Sequence, residues 1–91
     1  MVTSIILINT ERGEVNSVAE QLADMPGVSE VYSVSGNYDL IAMVRVENND
    51  ALADLVTNHI RPLKTITQTE TMLAFKAYSQ HDLEAMFSIG L

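Results

Sequence analysis

The residues best suited to chemistry stand together at Gly36-Asn37-Tyr38-Asp39 and in the threonine row Thr65, Thr67, Thr69 and Thr71. A free amino acid asks three things of a binding site. Its ammonium needs an acceptor, its carboxylate needs donors, and its side chain needs a pocket. Asp39 can accept from the ammonium. The backbone amides of Gly36, Asn37 and Tyr38 can hold the carboxylate, as can the hydroxyls of Thr67 and Thr69, which a period of two places on one strand face. The same residues also have a plainer reading. Gly36-Asn37 tolerates the positive φ of a tight hairpin, and threonines suit a half-exposed strand.

Other chemistries are poorly served. The chain has no cysteine and two histidines, His59 and His81, far apart in sequence, so neither disulfides nor a structural metal site is expected. No Ser-His-Asp spacing and no glycine-rich phosphate loop is present. No catalytic residue, metal or cofactor is assigned. His59 falls on the apolar stripe of its helix and reads as a core or rim histidine; His81 reads as a surface residue. Glu11, Glu14, Glu20, Asp24 and Glu30 read as a solvated acidic face, and Met43, Met72 and Met86 as core fillers.

The elements that position these residues follow from hydrophobic period. Val2–Asn9 is a strand with both faces covered. Gly13–Met25 turns helical, with Val15, Val18, Ala19 and Leu22 on one stripe, and Pro26-Gly27 ends it. Val28–Ser35 and Leu40–Val46 are strands joined by the Gly36–Asp39 turn, hence an antiparallel hairpin. Asn48-Asn49-Asp50 caps a second helix whose stripe is Leu52, Leu55, Val56, His59 and Ile60, stopped by Pro62. Thr65–Ala77 is the fourth strand. Ser79-Gln80-His81-Asp82 resembles a capping box, opening a tail helix over 80–89 with Leu83, Met86 and Phe87 on its apolar side. The order predicts an α+β, ferredoxin-like βαββαβ fold over 2–77, with both helices on one face of an antiparallel sheet and a short C-terminal helix.

At 91 residues the chain reads as a single domain, 1–91, too small to be comfortable alone. Its formal charge of −7, with Arg12, Arg45, Arg61, Lys64 and Lys76 scattered, does not suit direct nucleic-acid binding or an anionic membrane. No stretch has the form of a signal peptide or a membrane helix, so the cytoplasm is the expected compartment. The apolar strands do not alternate. Ile5 and Leu7 oppose Ile6 and Ile8, and Ile41 and Met43 oppose Leu40, Ala42, Val44 and Val46. Large apolar side chains therefore lie on the face without helices, each worth roughly 1.5–3 kcal/mol once buried. A dimer packed through the sheets is the economical solution, with a folded-back tail helix the alternative lid.

Met25-Pro26-Gly27-Val28, Val34-Ser35-Gly36-Asn37-Tyr38-Asp39 with the apolar strand to Val46, and Thr67-Gln68-Thr69 together resemble the effector-binding (RAM) domain of the Lrp/AsnC feast/famine regulators. The resemblance covers roughly residues 3–76 and departs at Pro62-Leu63-Lys64, where the family usually repeats Pro-Gly-Val. It implies a RAM-type ligand-binding domain in stand-alone form, without a helix-turn-helix. It further implies a homodimer assembling into an octamer-like ring, and an amino-acid effector held between dimers near Gly36, Asn37, Tyr38, Asp39, Thr67 and Thr69. Full-length Lrp/AsnC regulators are the implied protein partners. Two rival readings stand beside it: a small dimeric ferredoxin-like enzyme of monooxygenase or isomerase type, and a purely structural assembly factor. A deep pocket within one subunit containing His59 would favour the enzyme; a polar crevice at Asp39 and Thr69 would favour the sensor.

Overall fold

Unbroken runs of β-branched and aliphatic residues need cover on both sides, and the chain places them at the centre of its sheet. The computed structural model describes residues 1–78. Its elements are β1 (Val2–Thr10), α1 (Val15–Ala23), β2 (Val28–Ser33), β3 (Leu40–Val46), α2 (Asn49–Asp54, continued as a π-helical turn over Leu55–Ile60) and β4 (Ile66–Leu73). The four strands lie in the order β2-β3-β1-β4, every neighbouring pair antiparallel. This is the expected ferredoxin-like α+β fold. The expected helix over 80–89, and with it the lid alternative, lies outside the described residues.

The core forms where the helix stripes meet one sheet face. Ser4, Ile6 and Ile8 of β1 and Leu40, Ala42 and Val44 of β3 are buried against Val18 and Leu22 of α1 and Leu55 and Ile60 of α2. Ser4 is the one polar residue among them, and its hydroxyl donates to the Met72 carbonyl at 2.8 Å, which removes the cost of burying it.

Several boundaries differ from expectation, each for a local reason. α1 does not begin at Gly13, because Gly13 takes φ +83°, outside the helical region. β2 stops at Ser33 rather than Ser35: the Val34 amide still bonds the Asp39 carbonyl at 3.0 Å, one rung past the Ser33–Leu40 pair, and the chain then turns at Gly36 with φ +105°. β4 stops at Leu73 rather than Ala77. The Ala74 amide still reaches the Thr3 carbonyl at 2.9 Å, and the pairing with β1 goes no further although Val2 remains beyond it. The second helix opens as expected, with Asn48 Oδ1 accepting from the Ala51 amide at 2.8 Å. It then departs from α geometry: the Arg61 amide bonds five residues back to the Val56 carbonyl at 2.9 Å. The wider turn aligns Leu55 with Ile60 in the core and turns His59 outward, leaving its side chain 53% exposed.

The register puts Ile5 and Leu7 of β1, Ile41 and Met43 of β3, Tyr32 of β2 and Met72 of β4 on the face without helices. Within one chain the first four are only half-buried, and Tyr32 and Met72 are exposed. The two-sided apolar pattern read from the strands is therefore present as a contiguous open face.

Candidate functional site

One end of the sheet gathers the β2–β3 hairpin, the C-terminal end of β1 and the N-terminal end of β4. The hairpin is anchored by β1. Asn9 Nδ2 donates to the Asn37 carbonyl at 3.1 Å, and Asn9 Oδ1 accepts from the Asp39 amide at 3.0 Å. The same Asp39 amide also faces the Ile8 carbonyl at 3.0 Å. Asp39 returns the contact, with Oδ2 accepting from the Thr10 amide at 3.0 Å. Gly36 takes φ +105°, as the turn requires, whereas Asn37 keeps a negative φ, contrary to expectation. Asn37 contributes its carbonyl to the Asn9 bond instead.

Asp39 is therefore partly a turn residue. A carboxylate offers about four acceptor directions, and the Thr10 amide uses one of them, so Asp39 can still receive a cationic group. Tyr38 lies across the sheet end, its hydroxyl donating to Glu70 Oε2 at 3.0 Å. That bond raises the Tyr38 phenol above its ordinary value of 10.0, with lesser contributions from desolvation and the charge of Glu70. Tyr32 makes the same kind of bond to Glu30 two residues earlier, and its phenol is raised for the same first reason.

The threonines sit on the far side of β1. Thr69 pairs with Ile8 and so lies on the helix-covered face. A register shift between Asn9 and Thr10 interrupts the period of two, since Asn9 pairs with Gln68 but Thr10 with Ile66, and Thr67 is left without a cross-strand partner. Thr67 and Thr69 still line one groove, of about 220 Å³, with Arg61, Ile66 and Gln68. Asp39 and Thr69 flank β1 on opposite sides, about 10 Å apart at two strand spacings. The structure thus brings all six expected residues to one end of the sheet, but places the hairpin and the threonine groove as two separate half-sites. Asn9, Arg61 and Glu70 belong to this end and were not singled out from sequence. An asparagine directly after the apolar run Ile5–Ile8 is a readable signal for Asn9. Arg61 and Glu70 gave none, because only the register and the helix end bring them here.

A larger groove of about 510 Å³ lies elsewhere, between α2 and the end of β3, lined by Pro26, Gly27, Arg45, Val46, Leu55 and His59 among others. His59 Nε2 stands 3.5 Å from Asp54 Oδ2, with side chains 53% and 60% exposed. Asn58 Nδ2 also donates to Asp54, at 2.7 Å. The groove is open and its polar pair is solvated, unlike the deep pocket expected of an enzyme. Among the described residues no group of three or more metal-ligating side chains occurs, and no helix is long and apolar enough to cross a membrane.

Comparison with known proteins matches residues 3–83 to the family described as the Lrp/AsnC ligand binding domain. An uncharacterized HTH-type transcriptional regulator of Pyrococcus horikoshii is 41% identical over 58 residues, 64% of this chain and 39% of the regulator. The chain therefore spans well under two thirds of that relative. A homocitrate synthase of Sulfurisphaera tokodaii is 35% identical over 60 residues, 66% of this chain and 13% of the enzyme. Among solved structures, a protein of Thermus thermophilus superimposes with a TM-score of 0.83 at 44% identity, covering 88% of this chain and 100% of that one.

Proposed function

This chain belongs to the Lrp/AsnC ligand-binding domain family, and from that premise we propose that it is a regulatory sensor that binds a free amino acid where copies of the chain meet. The reading is carried by the split site. A hairpin carboxylate and a donor-lined groove occupy the same sheet end about 10 Å apart. A second or third copy closes the space. The open apolar face of Ile5, Leu7, Ile41, Met43, Tyr32 and Met72 supplies the reason to associate, first as a dimer and then as an octamer-like ring.

In this reading Asp39 receives the effector ammonium, the hairpin amides and threonine hydroxyls receive its carboxylate, and binding is reported through assembly state. Its partners are further copies of itself and full-length Lrp/AsnC regulators in the cytoplasm; it contacts no DNA directly and catalyses no reaction. The charge of −7 supports the absence of DNA contact. A short stretch similar to both a regulator and a biosynthetic enzyme supports a portable sensing module. The rival enzyme reading draws on the His59–Asp54 pair in the larger groove. Water on both side chains weakens it, because proton transfer is favoured where solvent is excluded.

Native mass spectrometry with each of the twenty L-amino acids tests the proposal, together with Asp39→Asn. Asparagine keeps an oxygen for the Thr10 amide but removes the charge. The expected result is an amino-acid-dependent shift in assembly that Asp39→Asn abolishes without unfolding the chain. No bound amino acid under any condition would refute the sensor reading.

A further inference from the structure

Resting on that reading, we infer that Arg61 is the anchor for the effector's carboxylate and selects for ligands that carry one. Arg61 closes the π-helical turn of α2, its amide bonded to the Val56 carbonyl at 2.9 Å. From there it lines the groove that also holds Thr67, Gln68 and Thr69. Its guanidinium offers five donors in a planar fork that matches a carboxylate. The two threonine hydroxyls and the Gln68 amide add further donors around it. Among the described residues this surface gathers donors at the site end of the sheet, whereas Asp39 and Glu70 make the hairpin side acceptor-rich.

Among the described residues Arg61 has no carboxylate partner to occupy it: the ion pair found there joins His59 to Asp54. A cation at the C-terminal end of a helix also offsets the helix dipole, and that structural role predicts a stability change alone. The two half-sites have opposite character, which orients a zwitterion: carboxylate toward Arg61 and the threonines, ammonium toward Asp39. The π-turn matters here. A five-residue hydrogen bond at Val56 sets the direction in which the chain leaves α2, and so sets where Arg61 projects relative to β4.

The test measures binding by titration calorimetry on the intact chain, using the twenty L-amino acids and their α-carboxamides as probes, with thermal midpoints recorded for each variant. For whichever amino acid binds, Arg61→Gln is expected to weaken binding about 10- to 100-fold, the range for losing a charge-assisted hydrogen bond. Arg61→Lys should restore part of that loss, and the carboxamide should bind unaltered protein and Arg61→Gln equally weakly. If an amino acid binds but Arg61→Gln and the carboxamide leave its affinity unchanged, the Arg61 assignment is overturned while the sensor reading stands. A lowered midpoint with unchanged affinity would assign Arg61 to the helix end alone and likewise overturn it. If no amino acid binds the unaltered chain, the sensor reading fails and this inference fails with it.

Discussion

Met43→Lys separates folding from association. Met43 lies on the open sheet face, half-buried, with Ile5 beside it on β1 and Glu30 opposite it on β2. In the monomer a lysine there can stretch along the sheet and pair with Glu30 across the strands, so the fold should survive. In a dimer packed through this face the same lysine must be covered. Full burial of a methionine is worth roughly 1.5–3 kcal/mol, and half of it remains available for association, so about 1 kcal/mol per protomer is lost. Covering an imperfectly paired charge costs at least about 2 kcal/mol more for the pair. The total is about 4 kcal/mol, roughly a thousandfold in dimer dissociation constant. Sedimentation velocity across a nanomolar-to-micromolar series reads this directly, with circular dichroism as the check on folding. Gln21→Lys on the exposed side of α1 is the control and should leave association unchanged. A Met43→Lys protein that associates as tightly as the unaltered chain would refute the sheet-to-sheet dimer. So would an unaltered chain that stays monomeric at micromolar concentration.

Three further outcomes are expected. Gly27 takes φ +96°, and a Cβ there would stand 2.9 Å from Val46 Cγ1; Gly27→Ala should cost about 1–3 kcal/mol in urea unfolding. Gly13 takes φ +83° with nothing within 4 Å, so Gly13→Ala should cost less. Asn48→Ala removes the acceptor for the Ala51 amide and should lower stability by about 1 kcal/mol, with Asn48→Ser restoring most of it in the same assay. Tyr38 should titrate above 10.0 in an ultraviolet phenolate titration, and Glu70→Ala should bring it back down. The sign follows from the neutral phenol being the favoured form in the folded chain. Its contribution to stability is complete below the unfolded value of 10.0 and fades as pH rises through the raised one.

Much of the fold was legible because it rests on local signals. Pro26-Gly27 and Pro62 stop helices through backbone geometry that needs no distant partner. Asn48 caps because its side chain reaches its own helix. The two-sided apolar pattern of β1 and β3 announced an open face through the alternation of side chains along a strand. Where local rules met tertiary demands, the tertiary demands prevailed. A heptad-like stripe over Leu52–Ile60 reads as plain α-helix. The core instead aligns Leu55 with Ile60 through a π-turn, and His59 leaves the stripe it occupied on paper.

The site divides in the same way. Its hairpin was readable because Gly36, Tyr38 and Asp39 are contiguous, and one glycine conformation holds the turn. Its far half was only partly readable. Thr67 and Thr69 were found by their period, but the bulge opposite Thr10 redistributes them, and a bulge is set by how two strands meet rather than by either alone. Arg61 lies beside those threonines because the π-turn ends α2 there, just before β4, and Glu70 lies beneath Tyr38 because the sheet order β2-β3-β1-β4 puts β4 next to β1. The sequence by itself determined the elements, their caps and the surplus of apolar surface, all consequences of neighbours along the chain. Which charges face which across the sheet end was decided by strand register, and register is a property of the folded whole.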